Sequence, residues 1–259
     1  MGWKTLDQME LEGKRVLTRV DLNVPIKDEK ISDDTRIKKI IPTLSHIIKR
    51  GGLPILVAHL GRPNGKRNPS LSFAKISTDI EKLIGLPLIF AADCIGITAE
   101  LAVTSQKTGG VVLLENTRFH EGEEKNSISF AKSLAKLADI YCNDAFSCAH
   151  RAHASTEAIA HLLPNCSGKL MEQELLSLET ALTKPERPLT AIVGGSKVST
   201  KLDFSENVFI HSAPCMSSFG ASESWTTTIV PSLFCVFSAR ACQTCCTPSA
   251  LRVLSVRTT

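Results

Sequence analysis

What this sequence lacks excludes several classes of protein. No uncharged apolar run approaches the roughly 18 to 20 residues of a membrane span, so we expect no membrane partner. The first sixteen residues, MGWKTLDQMELEGKRV, hold no apolar core between a basic head and a cleavage site, so we expect no secretory signal and a cytoplasmic location. The formal net charge is only +4, short of the basic surface of nucleic-acid binders, so no nucleic-acid partner is expected.

What is present indicates an α/β fold. The 259 residues suffice for one large or two small domains. Short, nearly continuous apolar runs, which suit strands covered on both faces, occur at 15–20, 54–60, 87–91, 110–114 and 139–142. Amphipathic segments, which predict helices, lie between these runs or after the last of them, at 34–50, 72–84, 97–107, 127–137 and 155–163. This alternation predicts a doubly wound, Rossmann-like parallel sheet.

Composition divides the chain further. We expect a first domain at 1–169, a connecting helix and linker at 170–187, and the truncated start of a second α/β domain at 188–207. Residues 208–259 contain only four charged side chains but sixteen Ser or Thr, and we expect an irregular, disordered tail there. Its origin stays open between an out-of-frame or mis-spliced translation and a cysteine metal site at Cys242, Cys245 and Cys246.

The residues that follow the apolar runs are the first candidates for a functional site, because ligands of open parallel sheets bind at the carboxyl ends of the strands. Arg62, Arg118 and Arg151 come from three such loops, and Arg36 near the start of the first predicted helix can join them. Arginine matches phosphate or carboxylate oxygens with two parallel hydrogen bonds. This pattern predicts a site for a small polyanion.

Two further motifs leave alternatives open. His59, His150 and His153 can be metal ligands, acid-base groups or donors to the same anion, but no Cys, Asp or Glu completes a zinc set near them, so we expect no metal. The glycine turn at 194–197, with Lys197 and Lys201 four residues apart, favours phosphate binding or a plain turn before a surface helix. It does not match the Walker A spacing.

Taken together, these segments resemble the phosphoglycerate kinase family. Six motifs follow one another in the order of that family: RVDLNVP at 19–25, DDTR at 33–36, HLGRP at 59–63, ENTRF at 115–119, AHRAHAS at 149–155 and GGSKVS at 194–199. The resemblance covers residues 5 to about 203. Ser147, Cys148 and Ser196 stand where other small residues are usual.

The resemblance implies a function and assigns roles. It implies reversible phosphoryl transfer, a glycolytic step, between MgATP, which carries the magnesium, and the carboxylate of 3-phosphoglycerate, by a monomer. Arg36 and Lys197 would be catalytic, and Lys201 would contact the phosphates of ATP or ADP. The following residues would hold 3-phosphoglycerate: Asp21, Asn23, Arg36, His59, Arg62, Arg118 and Arg151.

The sequence departs from the family after residue 203. The glycine-rich nucleotide segment, the ribose-binding Glu and the late Gly-Gly-Gly-Asp turn of the family are absent from the residues that follow. We therefore expect impaired transfer by this chain and doubtful binding of ATP or ADP. The alternative is a noncatalytic module that binds phosphate or another anion.

Overall fold

The computed structural model describes residues 2–27 and 30–183, and the backbone of five further strands between 189 and 255. The chain divides into two compact units, Met1–Gln173 and Glu174–Thr259. Among the described residues, no helix is both long enough and apolar enough to pass through a membrane. The predicted domain boundaries and the cytoplasmic location stay predictions.

The first unit is built on a six-stranded sheet in which every neighbouring pair is parallel. Its strands are β1 (Arg15–Arg19), β4 (Leu53–Val57), β5 (Leu88–Ala91), β6 (Val111–Leu114), β7 (Ile140–Asn143) and β8 (Asn165–Ser167). Their order across the sheet is β5-β6-β4-β1-β7-β8. A two-stranded antiparallel ribbon, β2 (Ile26–Lys27) with β3 (Lys30–Ile31), lies outside this sheet.

Helices pack on both faces of the sheet. Those whose residues join the cores beside the sheet are α1 (Thr35–Lys49), α2 (Ser77–Ile84), α3 (Gly96–Thr104) and α5 (Ile128–Ala135). Two further helices are α4 (Glu121–Glu124) and α6 (Lys169–Thr183). Ile55 and Val57 of β4 belong to the core that contains residues of α3 and α5, whereas Leu56 belongs to the core with α1 and α2. Successive residues of a strand point to opposite faces, so both faces of β4 are apolar because both are covered by helices. The predicted doubly wound α/β class is confirmed.

Several short elements of the first unit differ from the sequence-based expectation, among them α4, which was not predicted. The helix predicted at 155–163 is a single 3₁₀ turn, Ala158–His161. The ribbon of β2 and β3 and the three-residue strand β8 were not predicted. Each of these elements is only two to four residues long, too short for hydrophobic periodicity to show.

The second unit contains β9 (Leu189–Gly194), which lies where the start of a second α/β domain was predicted. Four further strands fall within residues 208–259, where we expected an irregular tail: β10 (Phe209–His211), β11 (Thr226–Ile229), β12 (Cys235–Ser238) and β13 (Leu251–Ser255). They form an antiparallel sheet with β9 in the order β10-β13-β9-β12-β11. The possible cysteine site at Cys242, Cys245 and Cys246 lies outside the described residues.

Candidate functional site

The candidate site lies where four neighbouring strands end. β1, β4, β6 and β7 are adjacent and parallel, so the loops that follow them, at 20–25, 58–68, 115–120 and 144–157, leave the same edge of the sheet. Almost every residue that the sequence singled out lies in these loops. Within residues 2–27 and 30–183, Arg36 is the predicted site residue outside these loops, and it stands in the first turn of α1.

Asp21 ties Arg36 to this edge. Its Oδ2 accepts a hydrogen bond from the Arg36 Nη1 and another, 2.6 Å long, from the Ser147 hydroxyl. Its Oδ1 accepts the backbone N–H of Asn23 at 3.0 Å. Burial raises the pKa of Asp21, but the hydrogen bonds from Ser147, Asn23 and Arg36 outweigh it, so the net pKa is lowered. The ionised carboxylate thus holds the guanidinium of an arginine whose side chain is 47% exposed to solvent.

A second group of contacts passes through Gly61. The Asn23 Oδ1 accepts the backbone N–H of Gly61 at 3.0 Å, and the Arg118 Nη1 donates to the Gly61 carbonyl at 2.8 Å. Gly61 has a φ of +60°, and a Cβ there would lie 2.7 Å from a methyl carbon of Leu71. Glycine is therefore required for the turn that connects Asn23 with Arg118.

Arg118 is buried with part of its hydrogen-bonding capacity unused. Its side chain is 5% exposed, and its Nε lies 3.1 Å from the Glu124 Oε1 without the geometry of a hydrogen bond. Burial lowers the pKa of Arg118 most, and the like charges of Arg151 and Arg19 add to this effect. A buried cation with an unsatisfied donor favours the approach of an anion.

His59 is held as a neutral hydrogen-bond donor. Its Nδ1 lies 2.9 Å from the Arg19 Nη2, and because arginine can only donate, this nitrogen accepts. The proton of the neutral ring therefore sits on Nε2. Burial first, and then the charges of Arg19 and Arg118, lower the pKa of His59 to about 3.

Arg19 belongs to a buried network that sequence reasoning missed. Its Nε donates to the Ser155 hydroxyl at 3.0 Å, and that hydroxyl donates to the Glu123 Oε1 at 2.6 Å. The Ser155 backbone N–H donates to the Glu123 Oε2 at 3.0 Å. Arg19 and Glu123 are both almost fully buried, so their opposite charges compensate each other inside the protein. In the sequence, only their positions in two motifs pointed to this network: Arg19 begins RVDLNVP, and Ser155 ends AHRAHAS.

Arg151 and Arg62 complete the set of arginines. Arg151 is half-buried, its Nε donates to the His150 Nε2 at 3.3 Å, and its charge contributes to the lowered pKa of His59. Arg62 follows Gly61 directly and is exposed, and its guanidinium has no hydrogen bond or ion pair within residues 2–27 and 30–183.

The structure therefore brings most of the predicted residues together. Contacts or mutual electrostatic effects join Asp21, Asn23, Arg36, His59, Arg118 and Arg151. Arg62 borders them through its neighbour Gly61. Lys197 and Lys201 lie outside the described residues. The roles of all these residues in binding and catalysis stay predictions.

Comparisons with known proteins agree with this geometry. The family model described as phosphoglycerate kinase matches residues 6–213. A phosphoglycerate kinase of Ruegeria sp. (strain TM1040) is 57% identical over 208 residues, which are 80% of this chain and 52% of the relative. One from Cereibacter sphaeroides (strain ATCC 17025 / ATH 2.4.3) is 56% identical over 209 residues, 80% of this chain and 53% of the relative.

Solved structures give the same result. Phosphoglycerate kinase from Coxiella burnetii aligns with a TM-score of 0.63 and 35% identity, over 72% of this chain and 46% of that one. The enzyme from Pyrococcus horikoshii OT3 aligns with a TM-score of 0.64 and 32% identity, over 71% and 47%. The chain thus spans about half the length of the curated relatives it matches. From its sequence, its fold and the motifs at its strand ends, the chain belongs to the phosphoglycerate kinase family.

Proposed function

We propose that the first unit binds 3-phosphoglycerate at the edge formed by the ends of β1, β4, β6 and β7. The observation that carries this proposal is the continuous series of contacts from Arg36 through Asp21, Asn23 and Gly61 to Arg118. It holds two guanidiniums from distant parts of the chain in one place. Preorganised guanidiniums bind phosphate and carboxylate with little loss of side-chain entropy.

The other residues fit the chemistry of a small phosphorylated acid. Arg62, whose guanidinium has no partner among the described residues, and Arg151 add positive charge for the phosphate. His59 offers an Nε2–H donor that stays neutral at physiological pH. The ionised Asp21 can accept a hydrogen bond from the substrate hydroxyl.

The reaction we propose for the complete site is reversible transfer of the γ-phosphoryl group of MgATP to the substrate carboxylate. The bond between the γ-phosphorus and the oxygen that joins it to the β-phosphorus breaks. A bond between the γ-phosphorus and a carboxylate oxygen forms, and ADP leaves. No general base is needed, because the attacking carboxylate is already ionised. Arg36 and Lys197 would balance the charge on the transferred group, and Lys201 would contact the nucleotide phosphates.

We further propose that the chain of 259 residues performs little or no transfer by itself. The family match ends at residue 213, and the chain covers only 52% of its relatives. Transfer requires the nucleotide and the acceptor to meet in line. This chain matches about half of the length of its relatives. We propose that this half supplies the acceptor site.

Calorimetric titration of the full chain with 3-phosphoglycerate tests the binding site. Arg62→Ala should weaken binding about tenfold or more and leave the thermal midpoint unchanged, because a charge-assisted hydrogen bond is worth about 1.5 to 3 kcal/mol and Arg62 has no described internal partner. Arg15→Ala is the matched control, since Arg15 begins β1 at the opposite edge of the sheet and pairs with Asp139. Equal affinity of the two variants would contradict the assignment.

The nucleotide half of the proposal needs separate experiments. Titration with MgATP should give no binding heat, and a coupled assay should show no transfer above background. Turnover comparable to that of the family would overturn the proposed impairment. If inorganic phosphate binds as tightly as 3-phosphoglycerate and Arg62→Ala affects both equally, the unit is a noncatalytic anion-binding module instead.

A further inference from the structure

A separate group of side chains lies at the carboxyl end of the edge strand β5. Asp93 and Cys94 follow β5, and His120 follows the 3₁₀ turn Thr117–Phe119 and precedes α4. One potential ligand atom from each of the three residues lies within 4.8 Å of the others. None of the three takes part in the contacts of the proposed substrate site described above.

Local contacts orient the three side chains. The Asp93 Oδ1 accepts the backbone N–H of Cys94 at 2.6 Å and lies 2.7 Å from the His120 Nε2. The His120 ring stacks on Phe130, with ring centroids 5.2 Å apart. The Cys94 backbone N–H thus orients the carboxylate, and Phe130, which does not belong to the cluster, orients the imidazole.

Burial and charge also suit a cation. Cys94 is fully buried in the core, whereas the side chains of Asp93 and His120 are 35% and 30% exposed, so the cluster opens toward solvent on one side. The buried carboxylates of Glu115 and Glu123 lie near enough for their negative charges to act on the Cys94 side chain. Negative charge in a poorly hydrated region attracts a metal ion more strongly than the same charge in water.

We propose that Asp93, Cys94 and His120 bind a divalent transition metal ion of the zinc type. Sulfur, imidazole nitrogen and carboxylate oxygen together favour Zn²⁺ or Co²⁺ over Mg²⁺ or Ca²⁺, which prefer oxygen ligands. Three protein ligands leave the fourth tetrahedral position to a water molecule on the exposed side. On binding, Cys94 releases its thiol proton to solvent, the proton on the His120 Nε2 is replaced by one on Nδ1 through exchange with solvent, and the contact between Asp93 and His120 is replaced by bonds from both to the metal. This site does not depend on the proposed binding of 3-phosphoglycerate.

X-ray absorption at the zinc edge tests the ligand set. The full chain carrying Cys242→Ser, Cys245→Ser and Cys246→Ser is used, so that these cysteines do not compete for the ion. One equivalent of Zn²⁺ should show one sulfur at about 2.3 Å and nitrogen or oxygen ligands at about 2.0 to 2.2 Å. A shell with several sulfur ligands, or with none, would overturn the proposal.

Variants in the same background identify the residues. His120→Gln, which can still donate to Asp93, and Asp93→Asn, which can still accept from Cys94, should each weaken Zn²⁺ binding at least about tenfold. With Co²⁺ as the probe, Cys94→Ser should abolish the sulfur-to-cobalt charge-transfer band, whereas Cys166→Ser, a change of another buried cysteine, should retain it. Zinc affinity unchanged in both His120→Gln and Asp93→Asn would refute the site.

Discussion

At the scale of single residues, the interior beside the candidate site contains a compensated pair of charges. Arg19 and Glu123 are almost fully buried, and the Ser155 hydroxyl joins them by two hydrogen bonds. Removal of one partner of a buried ionic network is far more costly than removal of an exposed charge, because the other charge stays in the interior uncompensated. This asymmetry makes Glu123 a structural requirement for the position of Arg19, and through Arg19 for that of His59.

Glu123→Gln should therefore lower the free energy of unfolding by about 3 kcal/mol, as measured by urea denaturation. Glu121→Gln is the matched control, because it makes the same chemical change in the same helix, at a carboxylate that is 65% exposed and pairs with Lys125. Its denaturation midpoint should not change. Similar losses in both variants would show that the buried network does not carry the stability we assign to it.

The neutral state of His59 gives a second prediction. The pKa of His59 is about 3 in the folded protein and 6.5 in an unperturbed histidine, so between these pH values the unfolded chain binds a proton that the folded chain does not. Stability due to this residue is therefore complete above pH 6.5 and falls as the pH decreases, by about 1.4 kcal/mol for each pH unit. The His59→Gln variant should lack this slope when unfolding is measured at pH 7 and pH 5.

Nuclear magnetic resonance checks the same residue directly. Long-range nitrogen-proton correlations should show the His59 ring with its proton on Nε2 from pH 8 down to pH 5. The solvent-exposed His161, which lies 2.8 Å from Glu157, serves as an internal reference for a ring outside the buried network. Protonation of His59 above pH 5 would contradict the acceptor role of its Nδ1.

At the scale of elements, the loop after β4 depends on a backbone conformation as much as on side chains. Gly61 and Gly85 both have left-handed φ angles, +60° and +68°, so Gly→Ala at either position should cost about 1 kcal/mol of stability. Only at Gly61 does a Cβ meet a neighbour, a Leu71 methyl carbon at 2.7 Å, whereas Gly85 has nothing within 4 Å. Gly61→Ala should therefore also weaken 3-phosphoglycerate binding in calorimetry, because Asn23 and Arg118 both bond to this residue. If Gly85→Ala weakens binding equally, the loss is due to general destabilisation.

The long elements of the first unit could be predicted from the sequence, because their burial pattern is local. β4 is apolar throughout since it is covered on both faces, and α1 has one apolar face, so each pattern identifies the element. The wrong helix at 155–163 contains only a 3₁₀ turn, because Ser155 and Thr156 are occupied by contacts with Glu123 and Arg151. Such tertiary contacts override local propensity, and no local pattern reports them.

The candidate site was predictable to a similar degree. Arginines that follow parallel strands lie at the same edge of the sheet, so the positions of Arg118 and Arg151 could be predicted from the sequence. Ser147 and Glu123 could not, because a serine that bonds to Asp21 across 126 positions of the chain looks like any other loop serine. Among the predicted arginines of the first unit, Arg62 is the one without a side-chain hydrogen bond or ion pair to the described residues.

At the scale of the whole molecule, the candidate site is built entirely from the first unit. The three buried apolar clusters of the described residues draw their members from Leu6 to Cys166, and the series of contacts from Arg36 to Arg118 also falls within that range. A unit with its own core is expected to fold by itself. The acceptor site should then not require any residue beyond α6.

This independence gives the last prediction. A polypeptide of residues 1–183 should unfold cooperatively and bind 3-phosphoglycerate with the affinity of the full chain, since it keeps the whole parallel sheet and α6. A polypeptide of residues 1–167 is the control, because it keeps β8 but removes the Leu170 and Met171 amides that donate to the Asp144 carboxylate at 2.9 and 3.1 Å. It should unfold at a lower temperature. Thermal denaturation and calorimetry compare the three polypeptides. If residues 1–183 bind 3-phosphoglycerate more than about tenfold more weakly than the full chain, residues beyond 183 contribute to the acceptor site.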